Sequence, residues 1–204
     1  MSEQENVVVD QQQQQPRTNP LGRKLVIVFA LPGDTFSHRF LLGWTMIFNY
    51  CMNHDITPLI TSHQSNNIYY VRNMCLGGNN LRGVEQKPFN GEVDYDFIMW
   101  IDSDQVFSVE NFVNLLQHNE DIMSGLYLME SGKEFATVEK MDQGYFKKHG
   151  HYEFLSGDEL LLRRKNEEEP VIEVDYTGMG WTLVKKGVFE KMQYPWFTPD
   201  WQEM

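Results

Sequence analysis

The chain has 204 residues, and 41% of them are hydrophobic, which is enough for one domain with a sizeable core. Its 29 acidic and 17 basic residues give a net charge of −12, which disfavours a protein that binds nucleic acid or an anionic membrane through positive charge. The apolar run at residues 25–31 is too short to span a membrane, and residues 1–20 lack the apolar segment of a secretory signal. We therefore expect a cytoplasmic protein without a membrane span, whose Cys51 and Cys75 are reduced, buried thiols.

The first 20 residues are polar and include an uninterrupted glutamine run at residues 11–15. Because no apolar face repeats in this segment, it has little surface to bury against a core. The composition predicts a disordered tail at residues 1–20, followed by one domain at residues 21–204.

From residue 24, short apolar runs rich in β-branched residues alternate with longer stretches that carry apolar residues at helical spacing. Gly77 and Gly78 end one helical stretch, and Ser108 is a favourable first residue for another. This alternation is typical of a parallel sheet whose strands are joined by helices. The predicted elements are strands at 24–31, 56–61 and 95–101 and helices at 40–52, 66–76 and 108–116.

Beyond the helix at 108–116 the pattern changes, because long helical stretches are missing between the apolar runs. A charged turn at 166–170 precedes the last of these runs, and a short helix is predicted at 187–192. The predicted fold class is α/β: a Rossmann-like, mostly parallel central sheet flanked by helices, with a smaller mixed-strand C-terminal half. The further predicted strands lie at 121–129, 135–140, 152–162 and 171–176.

Two polar segments directly follow predicted strands of the parallel half, where open sheets bind their ligands. One is Pro32-Gly33-Asp34, and the other is Asp102-Ser103-Asp104, which we call the acidic turn. Two carboxylates placed so close repel each other, and a hard cation such as Mg²⁺ or Mn²⁺ would relieve this while binding substrate phosphates. The acidic turn is therefore the predicted metal site, although acids can also simply end a strand.

The chain has no glycine-rich phosphate-binding loop after its first strand. A diphosphate ligand would therefore need countercharge from a metal held by Asp104, or from Arg72 on the helix at 66–76. His149 and His151 are spaced so that they could share a metal, but their polar, glycine-flanked loop favours a solvated role.

An ordered set of segments runs through the chain: Arg72-Asn73, the strand at 95–101 with its acidic turn, residues 121–127, and the glycine-containing stretch at 174–189 followed by residues 195–197. This set resembles the glycosyltransferases of the GT-A fold. The resemblance is strongest to the small family-2-like and mannan-polymerase-like members, viral ones included, and it covers residues 24–197.

The resemblance implies a metal-dependent glycosyltransferase of the hexosyltransferase class. It would move a sugar from a UDP- or GDP-sugar to a glycan or glycoprotein acceptor, in the host cytoplasm if the protein is viral. Asp104 would coordinate Mn²⁺ or Mg²⁺ at the donor diphosphate, and Asp102 would bind the ribose or reach the metal through water. Neutralisation of the leaving nucleoside diphosphate would be the main catalytic contribution. The other implied donor-binding residues are Pro32, Gly33, Asp34, Arg72, Asn73 and Ser103, and those bordering the sugar and acceptor are Gly178, Met179, Gly180 and Trp181.

The chain departs from the resemblance at its C-terminal end. Similar inverting enzymes carry an acidic pair after the Pro-Trp-Phe segment that supplies the base, whereas here the only acids after Phe197 are Asp200 and Glu203, and neither fits that motif. We therefore expect either a catalytic domain truncated at its C-terminus or a base supplied from elsewhere, and the catalytic base stays unassigned. Two alternatives stay open: a nucleotide-sugar-binding domain without turnover, and a haloacid-dehalogenase-like phosphatase, whose first motif matches residues 102–106 but normally opens its domain.

Overall fold

The computed structural model describes residues 18–166 and 171–199, apart from the side chain of residue 164. These residues form a mixed sheet flanked by helices, which confirms the predicted α/β class. No helix within these ranges is long and apolar enough to cross a membrane. The elements are β1 (Leu25–Ala30), α1 (His38–Asn53), β2 (Ile56–Thr61), α2 (Ile68–Cys75), β3 (Phe97–Ile101), α3 (Val109–His118), β4 (Ile122–Ser124), β5 (Thr137–Val138), α4 (Gln143–His149), α5 (Gly157–Lys165), β6 (Tyr176–Thr177) and β7 (Trp181–Lys185), with short 3₁₀ turns at Asn80–Arg82, Pro88–Gly91 and Phe189–Lys191.

The main sheet contains five of these strands, in the order β2-β1-β3-β7-β4. β1 pairs in parallel with both β2 and β3, whereas β7 runs antiparallel to its neighbours β3 and β4. Four of the five strands therefore share one direction. The carboxyl ends of β1, β2 and β3 lie along one edge of the sheet, where open parallel sheets bind ligands. The two short strands β5 and β6 form a separate antiparallel pair.

The central strands are buried on both faces because their side chains alternate between the two sides of the sheet. Phe29 and Met99 lie in a core with residues of α1 and α3. Ile98 and Trp100 lie in a second core with the end of α2 and the segment at 189–196. This burial on both sides explains why β1 and β3 appear in the sequence as continuous apolar runs.

Polar residues just outside the helices set where the first three helices begin. The side chains of Ser37, Asn67 and Ser108 each accept a hydrogen bond from a backbone N–H three residues further on, at the starts of α1, α2 and α3. Ser108 and Asn111 also form a reciprocal capping box. These contacts satisfy N–H groups that have no partner inside a helix, so the predicted starts of these helices lie close to the observed ones.

The second half of the chain differs most from the prediction. The pattern predicts a strand at 152–162, but α5 occupies Gly157–Lys165. The Ser156 hydroxyl accepts from the Glu159 N–H, and the Glu159 carboxylate accepts from the Ser156 N–H and O–H, so a capping box starts a helix there. The helix α4, capped by Asp142, is also missing from the prediction, and the strands expected at 121–129, 135–140 and 171–176 are reduced to β4, β5 and β6.

Asn19 belongs to the fold, although the prediction assigns it to the tail. It is 3% exposed, and its Nδ2 donates to the carbonyl oxygens of Arg23 and His54 at 2.7 and 2.9 Å. Its Oδ1 accepts from the Leu21 N–H at 3.0 Å. Asn19 therefore packs with the domain that the sequence predicts to start at residue 21. Residues 1–17 of the predicted tail lie outside the described residues.

Both cysteines are free and buried, as the sequence predicts. Burial raises the pKa of the Cys51 thiol to about 12 and that of Cys75 to about 11. The nucleophilic thiolate form is therefore scarce at neutral pH, and neither cysteine is a candidate for covalent catalysis.

Candidate functional site

The loops that follow β1 and β3 are in contact at the carboxyl edge of the sheet. A Cβ atom on Gly33 would lie 2.8 Å from the Cβ of Ser103 and 3.0 Å from its Oγ. Gly33 also has a φ of 142°, which side chains other than glycine rarely adopt. Glycine at this position therefore allows the loop after β1 to approach the acidic turn, and the two predicted segments are in direct contact.

The end of β2 is tied to the same loop. The Gly33 N–H donates to the His63 carbonyl at 2.9 Å, and the Ser62 hydroxyl donates to the Leu31 carbonyl at 2.8 Å. Pro32 is buried, whereas Asp34 is exposed to solvent. The structure thus places Pro32 and Gly33 beside the acidic turn, with Asp34 at the rim of the loop.

Arg72 is buried and pairs with the first acid of the acidic turn. Its Nη2 lies 2.9 Å from each carboxylate oxygen of Asp102, and its Cζ lies 5.4 Å from the ring centre of Trp100. Arg72 is only 6% exposed, and its Nη1 has no hydrogen-bond partner among the described residues. Arg72 is therefore not a solvated arginine on the helix surface, and its charge is directed at Asp102.

The Asp102 carboxyl has a raised pKa. Burial is the largest cause, the ion pair and hydrogen bonds with Arg72 lower the pKa in part, and Asp104 adds a smaller increase. The predicted repulsion between the two acids is present, but burial outweighs it. Arg72 balances the charge of Asp102, whereas Asp104 has no ion pair among the described residues, so the predicted cation stays a prediction that now concerns Asp104.

Asp104 is the carboxylate that is available to a metal. It is exposed, and the Gln105 Nε2 donates to its Oδ1 over a long 3.4 Å. Within the described ranges, no three His, Cys, Asp or Glu side chains are grouped so that they could hold a metal ion. The rings of His149 and His151 are neighbours, but they are not part of such a group. Exposed Asp104, beside the paired Asp102, is a suitable ligand for Mg²⁺ or Mn²⁺ when substrate phosphates supply the remaining oxygen ligands.

Two aromatic side chains pack against glycines: Tyr127 against Gly178, which is predicted to border the sugar, and Trp181 against Gly125, which is not. A Cβ atom on Gly178 would overlap the Tyr127 hydroxyl, and the Gly180 N–H donates to that hydroxyl oxygen at 3.1 Å. A Cβ atom on Gly125 would overlap the ring of Trp181, which stacks on Phe107 with 4.8 Å between ring centres. The Gly180 carbonyl also accepts from the Asp102 N–H at 2.9 Å, so this aromatic wall is joined to the acidic turn.

Tyr127 and Trp181 line a cavity of about 220 Å³ between α3 and the segment after β4, which we call the α3–β4 cavity. Three amide side chains, those of Gln105, Asn111 and Asn114, also line it, and sequence analysis missed all three. The signal that could have found them is the three-residue spacing of Asn111 and Asn114, which places both on one face of the helix that follows the acidic turn.

Asn73 joins α2 to the segment that follows the 3₁₀ turn at Phe189–Lys191. Its Nδ2 donates to the carbonyls of Tyr69 and Phe197 at 2.8 and 2.7 Å, and its Oδ1 accepts from the Phe197 N–H at 3.2 Å. Asn73 is 4% exposed, so this arrangement supports a packing role and not the implied donor contact.

The remaining residues singled out in the sequence are packed against a core or lie outside the described residues. Met179 is partly buried against the second core, which contains Ile98 and Trp100. Asp200 and Glu203 lie outside the described residues.

Comparison with known proteins supplies no family. No protein-family model matches the chain, and no curated protein matches its sequence. The fold and the site together define an α/β protein with an acidic turn at the carboxyl edge of its sheet, in contact with a glycine loop and bordered by a cavity of aromatic and amide side chains.

Proposed function

We propose that this chain is a metal-dependent glycosyltransferase of the GT-A type, which transfers a sugar from a UDP- or GDP-sugar to an acceptor hydroxyl on a glycan or glycoprotein. The observation that carries the proposal is the close contact between Gly33 and Ser103. It unites the loop after β1 with the acidic turn at the edge where open parallel sheets bind nucleotides.

The acidic turn divides its two carboxylates between different tasks. Asp104 is exposed and is the proposed protein ligand for Mn²⁺ or Mg²⁺, together with the donor diphosphate. When bound, the cation would supply positive charge that stabilises the leaving nucleoside diphosphate. Asp102 is held by Arg72 and by the Gly180 carbonyl, so its carboxylate is a fixed acceptor for donor hydroxyl groups.

Arg72 is proposed as a positioning residue. With 6% of its surface exposed, it has little area to offer a ligand, but both oxygens of Asp102 depend on its guanidinium. The charge-assisted hydrogen bonds fix the orientation of the Asp102 side chain at the end of β3.

The α3–β4 cavity is the proposed acceptor site. Its aromatic rings suit the apolar faces of a sugar, and the amides of Gln105, Asn111 and Asn114 can donate to and accept from hydroxyl groups. Gln105 connects this cavity to the metal-binding acid, because it also donates to Asp104. The acceptor would thus lie next to the donor diphosphate.

A second candidate is a nucleotide-sugar-binding domain without turnover. One observation favours it: no His, Asp or Glu is among the described residues that line the α3–β4 cavity, so no acceptor base is apparent there. The phosphatase alternative is weaker, since it needs an available carboxylate nucleophile and both Asp102 oxygens accept from Arg72.

The proposal is tested by thermal shift with UDP, GDP and their sugars, in Mn²⁺ and in EDTA. A ligand that binds the folded chain raises its apparent stability in proportion to the logarithm of ligand concentration over Kd. Stabilisation by a nucleoside diphosphate sugar in Mn²⁺ alone supports the site, and release of the free nucleoside diphosphate distinguishes an enzyme from a binding domain. Absence of any stabilisation, with phosphate released from a phosphomonoester, would favour the phosphatase.

A further inference from the structure

The outer face of α1 is largely apolar, and Arg39 in its first turn is its one charged residue. Its exposed side chains include Leu41, Leu42, Met46, Phe48 and Met52, which are between 39% and 64% exposed. No Asp, Glu, Lys or Arg occurs from residue 40 to residue 54, although 23% of the whole chain is charged. An apolar patch of this extent on one helix is typical of an interaction surface.

Two polar side chains on the exposed face of α1, those of Thr45 and Asn53, already donate hydrogen bonds within the helix. The Thr45 hydroxyl donates to the Leu41 carbonyl at 2.8 Å, and the Asn53 amide donates to the carbonyl and the side-chain oxygen of Asn49 at 2.7 and 3.1 Å. These groups could therefore be buried by a partner at little cost, because they would not lose their hydrogen bonds.

The neighbouring strand β2 lies at the edge of the main sheet and extends the apolar surface. Ile60 is 54% exposed and pairs with Phe29 in β1. The ring of Phe29 packs against that of Trp44 in α1, with 5.0 Å between the ring centres. Strand pairing with a partner is disfavoured here. The backbone carbonyls of Asp55 and Thr61 accept hydrogen bonds from β1, and the backbone groups of successive residues in a strand point to opposite sides. Pro58 therefore lies on the open side of β2, where it has no N–H to donate to a partner strand. A partner would therefore dock through side chains.

We propose that α1 is the surface through which two copies of this chain associate, with the two α1 helices packed antiparallel about a two-fold axis. The net charge of −12 makes two copies repel at most orientations, whereas residues 40–54, which form most of α1, carry no Asp, Glu, Lys or Arg. A second copy brings the same uncharged stretch, so the two helices can approach without bringing acidic side chains of these residues together.

The exposed area is of the size that a dimer needs. At about 200 Å² for each large side chain, the five exposed residues of α1 together with Ile60 offer about 700 Å² of apolar surface, close to the roughly 800 Å² per partner of a standard interface. A lipid surface fits less well, because helices that bind membranes carry Lys or Arg on their polar face and α1 has neither after Arg39.

The test is sedimentation velocity of the full chain from micromolar to several hundred micromolar concentration. The variants are Leu42→Glu and Met46→Glu, and the matched control is Leu162→Glu on α5, where the leucine is 59% exposed. Circular dichroism checks that each variant is folded, which is expected because all three side chains lie at the surface.

We expect the wild type and Leu162→Glu to sediment as dimers at the higher concentrations, and both α1 variants to remain monomers. A wild type that stays monomeric throughout, or a dimer that persists in Leu42→Glu and Met46→Glu, would overturn the proposal. A monomer that floats with phosphatidylcholine vesicles, and loses this in Leu42→Glu, would overturn it in favour of lipid.

Discussion

The ion pair between Arg72 and Asp102 gives the clearest prediction about stability. Replacing Arg72 by Met keeps an unbranched side chain of similar length but leaves the Asp102 carboxylate without its partner. Removing one member of a buried pair costs about 3–5 kcal/mol. Since the Asp102 side chain is 28% exposed and water can solvate part of it, we expect Arg72→Met to lower the free energy of unfolding by about 2–3 kcal/mol at neutral pH.

The loss should depend on pH in a defined direction. Burial raises the pKa of Asp102 and Arg72 lowers it in part, so removing Arg72 raises the folded-state pKa further above the unfolded value. The destabilisation is therefore smallest at low pH, where Asp102 is protonated in the folded state of both the wild type and the variant. It grows as pH rises through the folded-state pKa, where the charge must be borne without a partner.

Urea unfolding of wild type and Arg72→Met at about pH 4 and about pH 8 measures this difference. The double variant Arg72→Met/Asp102→Asn is the control, because it removes the unpaired charge and should recover most of the stability lost at high pH. Equal destabilisation at both pH values, with no recovery in the double variant, would refute the reasoning and reduce Arg72 to a packing residue.

Three further predictions concern packing. Asn19→Ala should lower the free energy of unfolding by about 1–3 kcal/mol, because three backbone groups lose a buried partner, and urea titration measures it. Gly125→Ala should destabilise by more than about 1 kcal/mol through overlap with the stacked indole, while Gly157→Ala, which has open space, should be neutral or stabilising; equal melting temperatures would contradict this. Cys51 and Cys75 should resist a thiol reagent at neutral pH until the chain unfolds, and rapid labelling of the native protein would show that they are accessible.

The first half of the fold is predictable from the sequence because each element there agrees with its local signals. β1 and β3 are continuous apolar runs because they are buried on both faces, and Ser108 marks the start of α3. In the second half, the start of α5 depends on the reciprocal bonds of Ser156 and Glu159, which outweigh an apolar run that also suits a strand.

The candidate site is only partly predictable. The acidic turn and Gly33 follow from their positions after strands, since the topology of a parallel sheet places such segments at one edge. The burial of Arg72 does not follow, because it depends on Trp100 and Asp102, which are distant in sequence. Gln105 was missed for a similar reason: its place in the α3–β4 cavity depends on how α3 and β4 pack together.

The most direct test of the central claim is calorimetric titration of the nucleoside diphosphate sugar that stabilises the chain most, in Mn²⁺ and in EDTA. The variants compared are Asp104→Asn and a control, Asp158→Asn, which changes an exposed acid in the first turn of α5. We predict that wild type and Asp158→Asn bind the sugar nucleotide only with Mn²⁺, and that Asp104→Asn loses at least about tenfold in affinity with its melting temperature little changed. Wild-type affinity and unchanged metal dependence in Asp104→Asn would contradict the assignment of the acidic turn as the metal and donor site.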